Sequence, residues 1–174
     1  MNYFKLTLII LMFSNTLNAD VVSVDQNGFA LHIERTVSVD ADMAYQQFVI
    51  PAEWWNSNHT YSGDAKNLKM DAKAAGCFCE YFDNKQVLHM LITYVDPGTE
   101  IRMVGGLGPL QMMGLSGGMS WKFEHIGNNQ TKITQHYQVS GRIEGDSAAL
   151  AKIVNEVQTQ QLELLVKRLE AAKP

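Results

Sequence analysis

Residues 147–170 read Ser147-Ala-Ala-Leu-Ala-Lys-Ile-Val-Asn-Glu-Val-Gln-Thr-Gln-Gln-Leu-Glu-Leu-Leu-Val-Lys-Arg-Leu-Glu170, and this stretch decides the fold. Leu150, Ile153, Val154, Val157, Gln161, Leu164, Leu165 and Leu169 fall on one stripe at a period of 3.6 residues. That spacing defines an amphipathic helix. Asp146 or Ser147 can cap its start, and Lys167 and Arg168 sit at its negative carboxyl end. A long helix with one apolar face must bury that face against another layer.

The segments before it supply the layer. Gly28 to Val39 opens in alternation, with Phe29, Leu31 and Ile33 on one face and Ala30, His32 and Glu34 on the other, as a strand requires. Asp40 caps a helix that runs to about Val49. Pro51 ends that helix and starts a second short turn through Asn56. Residues 56–67 are polar and loop-like. Strand patterns follow over 68–74, 76–82, 86–95, 100–104, 118–126 and 130–140. The breaks at Ala75-Gly76, Asp83-Asn84-Lys85, Asp96-Pro97-Gly98 and Gly127-Asn128-Asn129 are turn chemistry. Ile133, Gln135, Tyr137 and Val139 share one face of the last strand. Strands joined by short turns form an antiparallel meander. The fold class is therefore α+β: a curved antiparallel sheet of about six to seven strands wrapped around one long C-terminal helix, with two short helices after strand 1. The hollow between sheet and helix is the expected ligand site.

The first 19 residues have the layout of a secretory leader. Lys5 precedes the apolar run Leu6–Phe13, and the polar stretch 14–19 ends in Ala19, where cleavage is expected. The run is shorter than the roughly 20 residues that span a bilayer. The expectation is a periplasmic or secreted protein, residues 20–174 forming a single domain, with no stable membrane insertion after cleavage. Fourteen Lys and Arg, of which Lys5 leaves with the leader, stand against eighteen Asp and Glu. That balance excludes nucleic acid as a partner, since a basic face is needed to bind it.

Cys77 and Cys79 flank Phe78 on one face of a strand, with their Cα atoms near the upper limit for a bridge. The expectation is two free, half-buried thiols. Two ligands do not make a metal site, and no further cysteine motif completes one. No cofactor motif is present: Gly105-Gly-Leu-Gly108 lacks the lysine and following helix of a phosphate loop. Ser116 lacks the strand-to-helix context of a nucleophile elbow.

The uncharged stretch from Gly105 to Gly118, Gly-Gly-Leu-Gly-Pro-Leu-Gln-Met-Met-Gly-Leu-Ser-Gly-Gly, is too apolar for an ordinary surface loop. It crosses one end of the cavity as a candidate gate, with Leu107, Leu110, Met112 and Met113 as its apolar underside. Glu80 reads as a rim or outer-face acid paired with Arg102 or a lysine. A carboxylate beside Phe78 and Phe82 is alternatively a tuned acid or base. His89 lies in the apolar strand Val87–Leu91, either pointing into the pocket or satisfied within the sheet. His32, His59, His125 and His136 are scattered, with no zinc spacing. Trp54, Trp55 and Trp121 are large apolar anchors. Met90, Met103, Met112, Met113 and Met119 cluster in the sheet half, where methionine suits a pocket for varied apolar ligands.

Several segments carry a family resemblance. They are Val37–Phe48, Pro51–Trp55 with its Trp-Trp pair, Gly76–Glu80, Asp96-Pro97-Gly98 followed by Glu100-Ile-Arg102, and Gly118–Phe123 with Thr131 after the hairpin. Together they resemble the START-like superfamily, also called SRPBCC or helix-grip proteins, over nearly all of residues 28–170. Within it the chain is most similar to the group related to the activator of heat-shock-protein ATPase. The resemblance implies a lipid, sterol or polyketide-like ligand held between sheet and helix. A co-chaperone role does not carry over to an exported chain. Trp54, Trp55, Phe78, Glu80, His89 and Met103 are the expected lining from the first half of the chain. Leu107, Leu110, Met112, Met113, Met119, Trp121, Val157 and Gln161 complete it. Two alternatives stand beside binding: a cyclase or hydrolase using Glu80, His89 or Arg102, and a protein-interaction module using the 105–118 loop. The sequence names neither a catalytic residue nor a protein partner.

Overall fold

The computed structural model describes residues 18–172, and these form a helix-grip fold. The leader expected over 1–19 lies outside the described residues as far as residue 17. Eight strands make one antiparallel sheet: β1 (Asn18–Asp25), β2 (Gly28–Val37), β3 (Leu68–Met70), β4 (Cys77–Phe82), β5 (Lys85–Asp96), β6 (Glu100–Gly105), β7 (Ser116–Gly127) and β8 (Gln130–Ser140). Their spatial order is β1-β2-β8-β7-β6-β5-β4-β3. Helix α1 (Ala41–Phe48) follows β2, and helix α2 (Ser147–Ala171) closes the chain. Among the described residues no helix is long and apolar enough to cross a membrane.

Local chemistry sets the boundaries. Asp40 Oδ1 accepts from the Met43 amide at 2.8 Å and caps α1. Asp146 Oδ1 does the same for α2, accepting from Ala149 N at 3.0 Å. Pro51 begins a single 3-10 turn to Glu53. At the β7–β8 hairpin Asn128 and Asn129 take φ of 52° and 54°, the paired left-handed conformation of a two-residue turn that matches sheet twist.

Three expectations change. The sheet gains an edge strand, β1, whose Val21, Val22 and Val24 are exposed. The strand read over 68–74 stops at Met70. The loop over 56–67 contains two 3-10 turns, Ser57–His59 and Ala65–Asn67.

The concave face of the sheet carries the core. Phe29, Leu31, Ile33, Ile133, Tyr137 and Val139 alternate inward from β2 and β8, as their spacing requires. Leu162, Leu165 and Leu169 of α2 are fully buried against this face. Arg35 pairs with Glu163, its Nε donating to Oε1 at 2.6 Å, and Arg168 Nε donates to Gln47 Oε1 at 2.7 Å. These bonds tie the carboxyl half of α2 to β2 and α1. An aromatic cluster fills the same end: Phe48 lies 4.9 Å from Trp121, 5.3 Å from Phe123 and 5.8 Å from Trp54, centroid to centroid. Each such pair adds about 0.5–1.5 kcal/mol beyond its buried area. The amino half of α2 is different. Its apolar residues Leu150, Ile153, Val154 and Val157 roof a hollow, and Ile153 is 57% exposed.

Candidate functional site

The hollow is a cavity of about 600 Å³. Its roof is the amino half of α2, its floor includes Phe78 of β4 and His89 of β5, and its rim is formed by 58–61 and 107–112. Its volume lies within the usual range for small-molecule sites.

The sheet bulges where the floor forms. Cys79 pairs with Leu88 and Phe78 with Met90, so His89 is the extra residue between two register pairs. A bulge breaks the two-residue alternation and re-aims a side chain. As a result His89 and Met90 are both buried although adjacent, while Leu88 and Leu91 face out. On β4 the run Phe78, Cys79 and Glu80 is buried throughout.

The bulge brings two ionisable groups together. His89 Nε2 and Glu80 Oε2 are 3.1 Å apart. Glu80 is wholly buried and His89 is 5% exposed. Glu80 also accepts from the Tyr61 amide at 3.0 Å and the Ser62 amide at 2.6 Å. Burial alone would raise the Glu80 pKa, but the hydrogen bonds from Ser62, Tyr61 and His89 together outweigh it and hold the group below its ordinary value. Burial pushes His89 below its ordinary value, against the pull of the Glu80 carboxylate. Glu80 is therefore ionised and His89 neutral near pH 7. This corrects the reading of Glu80 as a rim acid paired with Arg102. Arg102 lies on the outer face and clasps Glu100 instead, with contacts of 2.9 and 2.8 Å.

The cysteines are a second correction. Cys77 and Cys79 form a disulfide, with Cα atoms 5.5 Å apart. A regular strand would hold residues two apart near its full rise of about 3.3 Å each. The register shift between Phe78 and Cys79 occurs within this span, which is shorter than a regular strand allows.

The apolar segment after β6 forms the rim. It makes a 3-10 turn at Gly108–Leu110 and then leads into β7. Leu107, Leu110 and Leu115 are buried, Met112 is 89% exposed at the mouth, and Met113, expected in the lining, is an exposed residue that does not border the cavity. The Tyr137 hydroxyl accepts from Leu107 N and donates to Gly105 O, each at 3.3 Å. The Tyr61 hydroxyl donates to Gly108 O at 3.1 Å, linking the two sides of the rim. Gly105 has φ of 154°, and a Cβ there would come within 2.7 Å of the His89 carbonyl oxygen, so this close approach requires glycine.

Of the expected lining, Trp55, Phe78, His89, Leu107, Leu110, Met112 and Val157 border the cavity. Glu80 stands behind His89. Trp54, Met103, Met119 and Trp121 lie deeper, around a void of about 10 Å³ in the core. Gln161 is buried beside the rim, its Nε2 2.8 Å from His59 Nδ1. Sequence reasoning missed Tyr61, His59 and Gln158 as lining residues. The first two sit in a segment with no periodicity to read. Among the described residues, no three His, Cys, Asp or Glu gather to hold a metal.

No family model matches the chain, and no curated protein matches it in sequence. Solved structures do share its fold. An uncharacterised protein from Rhizobium leguminosarum superposes with a TM-score of 0.61 at 18% identity, over 86% of this chain and 97% of its own. CalU16 from Micromonospora echinospora gives 0.59 at 8% identity, over 91% and 87%. DynU16, a protein of the dynemicin biosynthetic locus, gives 0.56 at 16% identity, over 86% of this chain and 49% of its own. At these identities the likeness is one of fold: a curved sheet with a long carboxy-terminal helix.

Proposed function

We propose that this chain is an exported member of the START-like superfamily that binds a small hydrophobic molecule between its sheet and α2. The observation that carries the reading is the cavity of about 600 Å³, whose wall is apolar apart from a few polar groups. A cluster of convergent polar groups in an otherwise apolar hollow is the usual form of a ligand site. One neighbour of the same fold, DynU16, belongs to the dynemicin biosynthetic locus, and a small-molecule role for the fold is compatible with that. Export is supported by the layout of residues 1–19 and by the Cys77–Cys79 disulfide, since disulfides persist in oxidising compartments. A cut after Ala19 would leave Asp20–Asp25 paired with β2.

The neutral fluorescent probe N-phenyl-1-naphthylamine tests the binding reading. One probe molecule should bind per chain, saturably, and Val157→Trp should abolish binding without lowering the melting temperature by more than a few degrees. Absence of saturable binding to the wild type would defeat the reading. Peptide mapping of the protein recovered from its native host should find Asp20 at the amino terminus.

A second reading, a cyclase- or hydrolase-type enzyme, draws on the convergence of Glu80 and His89. Arg102 has no place in it, because its guanidinium is on the other face of the sheet.

A further inference from the structure

The Glu80–His89 pair narrows the chemistry that the cavity selects. We propose that the cavity takes a neutral aromatic molecule bearing a hydroxyl group, a phenol or an enol, whose O–H donates to His89 Nδ1. The inference rests on the reading of the cavity as a small-molecule site and adds the class of ligand.

The tautomer follows from Glu80. Its carboxylate already accepts two backbone N–H groups, and an ionised carboxylate only accepts. The proton in the 3.1 Å contact with His89 therefore sits on Nε2. A neutral imidazole protonated at Nε2 presents a lone pair at Nδ1. Among the described residues nothing donates to Nδ1. Nor is it one of the sealed, unpartnered side-chain atoms, which are Gln135 Oε1, Asn155 Oδ1 and Thr159 Oγ1. It is an open acceptor on a ring that lines the cavity.

An open acceptor selects a donor, and charge decides which kind. Among the described residues no lysine or arginine lines the cavity, and Glu80 stands directly behind the imidazole. An anionic head would find no counter-charge and would face a buried carboxylate. Among the described residues the other titratable groups at the wall are His59 and Tyr61; α2 and the 107–112 rim contribute none. His59 Nδ1 is engaged by Gln161 Nε2, and the Tyr61 hydroxyl by Gly108 O. A neutral hydroxyl meets the site without penalty. The aromatic preference comes from the surroundings of His89. The Phe78 ring lies 5.0 Å from it and the Tyr61 ring 5.9 Å, and Trp55 lies 5.2 Å from Phe78. Flat rings pack against such walls in offset or edge-on contacts.

Three probes of one shape test the proposal on the full mature chain: 2-naphthol, 2-methoxynaphthalene and 2-naphthoate. At pH 7.5, 2-naphthol should bind about tenfold more tightly than 2-methoxynaphthalene, the effect of one well-placed buried hydrogen bond. The naphthoate should bind more weakly than both. The ¹⁵N resonance of His89 Nδ1 should read as unprotonated in the free protein and move on addition of 2-naphthol but not of the ether. His89→Phe should equalise naphthol and ether. Equal wild-type affinities for those two would overturn the hydroxyl inference and leave the cavity reading intact. So would tightest binding of the naphthoate, or a free protein protonated at Nδ1. Failure of all three probes, together with failure of N-phenyl-1-naphthylamine, would overturn both.

Discussion

Glu80 and His89 meet 3.1 Å apart although they are not register partners: Glu80 pairs with Val87, and His89 is the bulged residue between Leu88 and Met90. The contact joins two groups whose folded-state pKa values both lie below their ordinary ones, 4.5 for Glu80 and 6.5 for His89. For each group the unfolded chain binds more protons within its window, so stability rises with pH there. Both contributions are complete above about pH 6.5; as pH falls, that of His89 starts to be lost below 6.5 and that of Glu80 below 4.5, their ordinary values. Urea midpoints measured at pH 7, 6, 5 and 4 should fall steadily. Glu80→Gln should lower the midpoint at pH 7 and flatten the acid limb. A wild-type midpoint that rises between pH 7 and 5 would contradict this assignment of charge.

Tyr137 anchors the rim from within the core. Burial pushes its pKa up to about 12, so its hydroxyl keeps its proton and goes on donating to Gly105 O. Tyr137→Phe removes that bond and the one accepted from Leu107 N. The cost should be about 1–2 kcal/mol. Hydrogen exchange should show where it falls: the Leu107 amide should exchange faster, while Ile133 in the centre of β8 should change only with global stability.

The disulfide makes a chemical prediction. Denatured, unreduced protein should show no thiol reactive to Ellman's reagent, and two after reduction. The bridge closes a very short ring, so the chain-entropy model assigns its loss only about 1.5 kcal/mol. The Cys77→Ser/Cys79→Ser variant should therefore still fold, with a modestly lower melting temperature. One or two reactive thiols in the unreduced protein would restore the sequence expectation.

Much of the fold is legible in the sequence because its signals are periodic. The stripe on α2, the alternation in β2, β7 and β8, and the turn at Asn128-Asn129 each depend on neighbouring residues alone. Edge strand β1 lacked such a signal: its valines are exposed, so no buried face marks it. The Glu80–His89 contact beneath the cavity floor is illegible for a different reason. Alternation places Phe78 and Glu80 on one face and Cys79 on the other, and it places His89 opposite Met90. The bulge cancels that rule at the one place where the polar pair forms. Register shifts depend on how two strands meet, which neither strand records by itself. Leu150, Ile153, Val154 and Val157 belong to the apolar stripe, yet a stripe does not say which half meets the sheet and which half roofs a hollow.

The central claim is that an apolar molecule occupies the space between α2 and the sheet floor. Methyl NMR of the mature chain, with labelled Leu, Val, Ile and Met, locates a bound molecule directly. On titration with N-phenyl-1-naphthylamine the methyls of Leu107, Leu110, Met112, Val154 and Val157 should shift together and saturate at one equivalent. Those of Val21, Val104 and Ile126, on the outer surface, should stay in place. Shifts confined to the outer face, or spread evenly over the chain without saturation, would contradict the account.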